Sequence, residues 1–235
     1  MASRGPRFGT FKKGPYRGRL APREIAEGIN AAVSNAKRLL GDARLLLTAE
    51  RFASATALSI LAIEEAGKTA VLRRVSVSSK SEELRAAWDE FGSHHTKNRN
   101  WILPSLVEEG ATNPQDFLEV VAANHDHTFV LERTKQLAIY VDCVGRKEWS
   151  APSAFVSEKV AKGLVLTAEI LVDRTPVSER EVALWVKHCR PCWDTPDLPA
   201  AVLAWKEAVE SQGLALHPLD LADALFVAGV QKGHV

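Results

Sequence analysis

The sequence has little cysteine: Cys143, Cys189 and Cys192 are the three in 235 residues. An odd and sparse set is typical of a reducing compartment, so it predicts a cytoplasmic protein without a disulfide framework. Long apolar runs are missing as well. The longest uncharged run near the predicted core covers 52–63, whereas a membrane-spanning helix needs about 20 apolar residues. No apolar stretch follows the basic N-terminal residues, which disfavours a secretory signal and a membrane partner.

Sequence motifs for metals and common cofactors are also absent. The chain contains no G-x-x-x-x-G-K, no G-x-G-x-x-G and no Glu-x-x-His, which disfavours phosphate-loop, Rossmann and di-iron sites. His188, Cys189 and Cys192 offer three ligands, but no second Cys-x-x-Cys completes a zinc site, and a redox role would need a βαβ context. The run 124–127, Asn-His-Asp-His, places consecutive side chains in different directions. The sequence therefore predicts neither a metal nor a cofactor.

The charges nearly cancel, with 30 Lys and Arg against 29 Asp and Glu, so a globally basic nucleic-acid binder is not indicated. The balance hides an asymmetry. Residues 1–20 carry six basic residues and no acid, which leaves 24 basic and 29 acidic residues in 21–235. Because the same twenty residues are rich in Gly and Pro, we predict a flexible basic tail over 1–20. It either contacts phosphate or an acidic surface, or is a solvated leader.

Apolar residues recur at spacings of three and four along most of the chain, and strand signals are nearly absent, which predicts an all-α bundle of long antiparallel helices. Helices are predicted over 23–48, 51–75, 80–103, 115–144, 153–172 and 175–189, then a linker over 191–199 and short helices over 200–212 and 219–231. The second helix is apolar on every side at its start, so neighbours should surround it. The predicted organisation is a tail (1–20), a helical domain (21–190) and a C-terminal extension (191–235).

The apolar part of the second helix runs directly into Glu64, Glu65 and Lys68, with Gly67 between them. A carboxylate taken from water without a partner is expensive. Either the helix emerges into solvent here, with one helical ion pair worth a few tenths of a kcal/mol, or the carboxylates meet partners inside a cleft. A glycine in a helix costs about 1 kcal/mol relative to Ala and often marks a close approach, which favours the cleft.

Two further polar clusters follow. His94 and Lys97 share a helix face at i,i+3, and a histidine biased towards its neutral form by a lysine can act as a base. Tyr140 brings a phenol that seeks a partner when buried, and Asp142 lies near a predicted helix end, where the dipole disfavours a negative charge. For each cluster the alternative is an ordinary polar surface or turn, and the whole chain would then be a helical scaffold.

Together the three clusters resemble the AbiV family of abortive-infection proteins, grouped with the HEPN-like helical domains. The resemblance rests on the order A-x-E-E-x-G-K, S-H-x-x-K and Y-V-D, and covers about 23–190. It implies a HEPN-like bundle in a bacterial cytoplasmic protein that protects against phage. It carries over Glu64, Glu65 and Lys68, then His94 and Lys97, then Tyr140 and Asp142 as one polar cleft of candidate catalytic residues.

The resemblance also implies partners and leaves two functions open. HEPN-like domains commonly dimerise, so a homodimer is expected, with a phage or host protein as partner and RNA as a further candidate. Many HEPN domains are metal-independent ribonucleases that show Arg, four to six residues, then His. No Arg–His pair here has that spacing; Arg85 and His94 are separated by eight residues. We therefore expect a binding and signalling module, with an endoribonuclease toxin as the alternative.

Overall fold

The computed structural model describes residues 14–93, 101, 126–145 and 147–229, without the side chains of 126–128, 144 and 225–229. Within these ranges the regular secondary structure is helical except for one small hairpin. The elements are α1 (Pro22–Thr48), α2 (Phe52–Val77), α3 (Ser81–Gly92), α4 (Asp126–Ile139), β1 (Asp142–Val144), β2 (Glu148–Ser150), α5 (Pro152–Phe155), α6 (Glu158–Val172), α7 (Glu179–Cys189), α8 (Leu198–Ser211) and α9 (Pro218–Gly229). The predicted all-α bundle is confirmed.

Helix α2 is the central helix of the bundle. It contacts α1, α3, α4, α6, α7 and α9, and eighteen of its 26 residues are buried. One apolar cluster lies between α1, α2, α4 and α6, a second between α2, α7, α8 and α9, and a third between α1, α2, α3 and α7. This confirms the prediction that a helix apolar on every side is surrounded. It also means that a charged group buried on α2 needs a compensating partner, on α2 itself or on another helix.

The turn between α1 and α2 is closed by two backbone hydrogen bonds. The Arg51 N–H donates to the Leu46 carbonyl at 2.8 Å, and the Glu50 N–H donates to the Leu47 carbonyl at 3.0 Å. These two bonds form a Schellman motif, whose left-handed position is usually a glycine. Glu50 occupies it here with φ 57°. The two longest helices are therefore antiparallel neighbours joined by a tight turn.

Helix α4 ends earlier than predicted. The expected helix over 115–144 is wrong at its C-terminal end, because α4 stops at Ile139 and residues 142–144 form β1. β1 pairs with β2 in antiparallel register, with Asp142 opposite Ser150 and Cys143 opposite Trp149. Gly145 and Lys147 have φ values of 54° and 72° and close the hairpin. Asp142 is thus a strand residue, and the expected repulsion by a helix dipole does not apply to it.

Helix α3 also ends before its predicted limit of 103, at Gly92. Ser93 follows with extended backbone, φ −82° and ψ 131°. Glycine is a poor helix residue, which accounts for a stop at this point. His94 and the residues up to 100 lie outside the described ranges, so the prediction for them stays a prediction.

Contacts continue across both predicted domain boundaries, at residues 20 and 190. The Arg19 guanidinium donates to the Ser78 carbonyl at 3.0 Å, and the Gly18 carbonyl accepts from Trp88 Nε1 at 3.0 Å, so residues 18 and 19 already lie on the helical body. In the predicted linker, Trp193 is buried in the same cluster as Trp205 of α8. In the described part of the chain, no helix has the length and apolarity to cross a membrane.

Candidate functional site

Glu64 lies on α2 and is only 3% exposed. Its Oε1 accepts a hydrogen bond from Lys135 Nζ of α4 at 2.6 Å. Lys135 is 5% exposed and also lies 2.7 Å from Glu132 Oε2. Of the two alternatives, the solvent-exposed helix end does not hold for Glu64, because its carboxylate is paired inside the protein.

Lys135 was not singled out from the sequence. It lies on the apolar side of α4, between Leu131 and Ala138 at spacings of four and three, and all three residues are buried. A charged residue on an apolar stripe is a signal that an opposite charge faces it. Burial lowers the pKa of Lys135, but the hydrogen bonds to Glu132 and Glu64 outweigh burial and raise it above the ordinary lysine value. The ammonium is therefore charged and fixed.

Glu65 and Lys68 form a second pair, with 2.5 Å between Glu65 Oε1 and Lys68 Nζ. Both side chains are about four-fifths buried. Lys68 Nζ also lies 5.2 Å from the centroid of the Phe91 ring on α3, a cation–π distance. Phe91 lies immediately before Gly92 and Ser93, where the S-H-x-x-K motif begins. The acidic motif of α2 therefore lies against the end of α3 that leads into His94.

His94 and Lys97 lie outside the described residues, so their place beside Glu65 and Lys68 stays a prediction. Because Lys68 contacts Phe91, the length of chain from Phe91 to His94 sets an upper limit on the distance between the acidic motif of α2 and His94. Two residues, Gly92 and Ser93, lie between Phe91 and His94, and an extended chain covers about 3.3–3.6 Å per residue.

Tyr140 and Asp142 lie on the outside of the structure. Tyr140 is 59% exposed. One Asp142 carboxylate oxygen lies 3.8 Å from the Arg133 guanidinium, with both side chains more than half exposed. The other oxygen accepts from the Cys143 N–H at 2.8 Å. The geometry joins α2 to α3 and to α4, while Tyr140 and Asp142 follow α4 on its solvent side; a cleft that joins all seven residues stays a prediction.

The cysteine pair does not have the properties of a redox site. Cys189 and Cys192 are free thiols, and burial raises the pKa of the Cys189 thiol to about 12. The thiolate is the reactive form, so this thiol is inert at neutral pH. Over the described ranges, no three His, Cys, Asp or Glu residues are grouped so that they could hold a metal ion. The run 124–127 lies outside the residues whose side chains are described.

The bundle of long antiparallel helices around α2 is the architecture expected of a HEPN-like helical domain. A family model described as AbiV, of the HEPN group, matches residues 24–173. Because this range is more than half of the chain, the chain belongs to the AbiV family. No curated protein and no solved structure was found to match it. The protein thus has a role in abortive infection, a defence against phage.

Proposed function

We propose that this is a bacterial cytoplasmic protein that blocks phage propagation as a helical binding and signalling module. The ion pair between Glu64 and Lys135 carries the proposal. A catalytic acid has to reach its substrate, whereas Glu64 is buried with its Oε1 2.6 Å from the ammonium. In this proposal the first acid of the motif joins α2 to α4, and Glu65 and Lys68 join α2 to α3. The motif then organises the fold that presents a binding surface.

An exposed apolar surface follows α4 and supports a protein as the partner. Tyr140, Val141 and Phe155 are each more than half exposed, and Trp149 is 74% exposed. The hairpin register places Trp149 opposite Cys143, on the face that Val141 shares by two-residue alternation. Aromatic residues are enriched at protein interfaces, and Trp and Tyr often dominate their binding energy. We assign this surface to a phage or host protein.

We propose that the protein acts as a homodimer. HEPN-like domains commonly dimerise through their helices, and α6 exposes Leu166 and Ile170, which share a face at i,i+4. Light scattering should give twice the mass of the chain, and Leu166→Glu should return it to the monomer mass. A wild-type protein that runs as a monomer at every concentration tested would contradict the dimer.

The alternative is a metal-independent endoribonuclease. It is favoured by the contact of Lys68 with Phe91, because that contact brings a mostly buried cation to the end of α3, three positions before His94. In this mechanism His94 acts as the base, and Lys97 or Arg99 stabilises charge on the phosphate. The missing Arg–His spacing and the acidic excess in 21–235 weigh against it, because RNA binding depends on neutralising phosphates.

The two functions are separated by phage protection and RNA sequencing in one host strain. We would express the wild type, His94→Ala and Trp149→Ala, challenge each culture with phage and sequence cellular RNA for new ends. For the binding module we expect protection without new ends, retained in His94→Ala and lost in Trp149→Ala. For the ribonuclease we expect new ends in the wild type that disappear in His94→Ala.

His188→Ala is the matched control, because His188 lies outside the family match and should behave as wild type in both measurements. Circular dichroism of each purified variant excludes loss of folding as the cause. New RNA ends that require His94 but not His188 would overturn the binding module. Protection that survives Trp149→Ala would remove the hairpin surface from the proposal.

A further inference from the structure

Five charged side chains form a buried cluster on the side of α2 that faces away from α4. They are Arg73 of α2, Arg174, Glu181 of α7, and Asp220 and Asp223 of α9, each at most 4% exposed. Arg73 donates to Glu181 Oε1 at 2.8 Å. Arg174 donates to Asp223 at 2.6 Å and to Asp220 at 3.1 Å. Residues 174–229 lie outside the family match, so this cluster joins that C-terminal segment to the central helix.

Two tryptophans close the cluster off. The Arg73 guanidinium lies 5.7 Å from the Trp185 ring centroid and 5.0 Å from that of Trp205. Trp185 Nε1 donates to the Arg73 carbonyl at 3.1 Å, and Trp205 Nε1 donates to the Glu181 carbonyl at 3.4 Å. In an apolar enclosure of this kind, uncompensated charge is strongly disfavoured.

The charges in the cluster do not balance. Arg73 and Arg174 supply two positive charges, and Glu181, Asp220 and Asp223 supply three carboxyl groups. Burial lowers the pKa of Arg73, but the neighbouring carboxylates outweigh burial and raise it, so the guanidinium remains charged. An arginine is not deprotonated in proteins. Charge balance among these five side chains therefore needs one proton on one of the three carboxyl groups.

The hydrogen bonds single out Glu181 as the carboxyl group that holds this proton. Asp223 accepts from Arg174 and from the Thr69 hydroxyl, and Asp220 accepts from Arg174 and lies 3.7 Å from Arg73. Glu181 accepts from Arg73 through Oε1, while its buried Oε2 has no hydrogen-bond partner. Protonation of Oε2 therefore breaks no hydrogen bond.

Three titratable groups of the described residues lie at the edges of the cluster and add no cation to its carboxyl groups. On α1, the exposed Lys37 donates to the Arg174 carbonyl rather than to an acid. At the start of α9, His217 Nδ1 accepts from the Leu219 N–H at 3.2 Å, so this nitrogen faces the backbone rather than an acid. On α7, Cys189 keeps its proton at neutral pH because its pKa is raised to about 12. Among the described residues of the cluster, carboxyl groups therefore outnumber arginines three to two.

We propose that the cluster holds one proton on Glu181 at neutral pH, and that loss of this proton loosens α7, α8 and α9 from α2. The C-terminal helices are then a pH-sensitive clamp on the helix that carries Glu64, Glu65 and Lys68. The proposal is independent of whether the protein binds a partner or cleaves RNA, since it concerns only how the segment outside the family match is attached.

The direction of the pH dependence follows from the shift at Glu181. Burial raises its pKa above the ordinary glutamate value, and the attraction to Arg73 offsets this only in part. A group whose pKa is raised in the folded state stabilises fully below its unfolded value and loses that contribution as the pH rises through the folded value. The clamp is therefore strongest at acid pH and weakens towards alkaline pH.

Glu181→Gln tests the proposal, because an amide has nearly the shape of the protonated acid and does not titrate. Stability would be measured by urea unfolding from about pH 5 to about pH 9, a range above the ordinary glutamate pKa. Between the ordinary glutamate pKa and the raised pKa, the folding constant of the wild type should fall about tenfold per pH unit relative to that of the variant, and the difference should level off above the raised pKa. Glu207→Gln, on the exposed side of α8, should parallel the wild type. Parallel profiles for the wild type and Glu181→Gln would overturn the proposal.

Infrared spectroscopy of the wild type gives a test that does not depend on the variant folding. The carbonyl-stretching band of a protonated carboxylic acid should persist at neutral pH and decline as the clamp weakens. Hydrogen exchange, corrected for intrinsic rates, should rise first in peptides from α8 and α9 while α1 stays protected. Absence of the band at neutral pH, or uniform loss of protection in α1 and α9 together, would contradict a local, proton-held clamp.

Discussion

Replacing Lys135 by Met should destabilise the protein by about 3–5 kcal/mol, the cost of leaving one member of a buried ion pair without its partner. Methionine keeps most of the length of the lysine side chain but removes the ammonium that lies 2.6 Å from Glu64 and 2.7 Å from Glu132. Glu64 would remain buried and would lose the ammonium that compensates its charge. Urea unfolding followed by circular dichroism measures the loss.

The double variant Glu64→Gln with Lys135→Met separates the ion pair from the packing of its aliphatic part. Because it removes the stranded charge, it should recover a large part of the lost stability. Lys162→Met is the matched control, since Lys162 forms an exposed i,i+4 pair with Glu158 that is worth a few tenths of a kcal/mol. If Lys135→Met were as mild as Lys162→Met, the buried pair would not hold α2 to α4.

How much of this site can be predicted from the sequence depends on how far apart along the chain the two members of each ion pair lie. The apolar run before Glu64 shows that a carboxylate there needs a partner or water, and this is a local property of α2. Its actual partner, Lys135, lies 71 positions further along the chain. Nothing in the spacing of residues around Glu64 selects it. The one indication is that Lys135 lies on the apolar face of α4, where a lysine needs an opposite charge nearby. That apolar face is too short to be recognised with certainty in the sequence.

The hairpin shows a second limit. Strands of three residues give too few alternating positions to distinguish them from the end of a helix. For this reason the predicted helix continued wrongly over 140–144. The expected effect of a helix dipole on Asp142 does not exist, because Asp142 lies in β1. The helices α1 and α2, by contrast, were predicted within two residues at each end. Their apolar patterns extend over more than twenty residues, so a few residues that break the pattern do not change the prediction.

The five-charge cluster was not predicted at all. Arg73 and Glu181 are 108 positions apart, and Thr69 and Asp223 are 154 apart. In the sequence, Arg73 and Arg74 read as an ordinary basic helix end, although Arg74 is partly exposed and Arg73 is fully buried. Arg73 differs from Arg74 in burial because the C-terminal helices pack over Arg73. This difference depends on tertiary structure alone.

The largest effect on stability is expected for Arg73→Met. This change leaves three buried carboxyl groups with Arg174 as the one arginine of the cluster, and removes the cation between the rings of Trp185 and Trp205. The expected loss is about 3–5 kcal/mol or more, because the stranded charges have no access to water. Urea unfolding followed by tryptophan fluorescence is suited to the measurement, since two of the six tryptophans lie against Arg73.

The pH dependence of Arg73→Met distinguishes lost charge compensation from lost packing. Without the guanidinium, the folded-state pKa of Glu181 rises further above its unfolded value, so the variant should lose more stability than the wild type as the pH rises. Adding Glu181→Gln should restore part of the loss at neutral pH. Arg44→Met, which breaks an exposed pair with Glu169, should cost no more than about 1 kcal/mol at any pH. A large loss in Arg73→Met that is independent of pH would attribute the role of Arg73 to packing between the two indole rings.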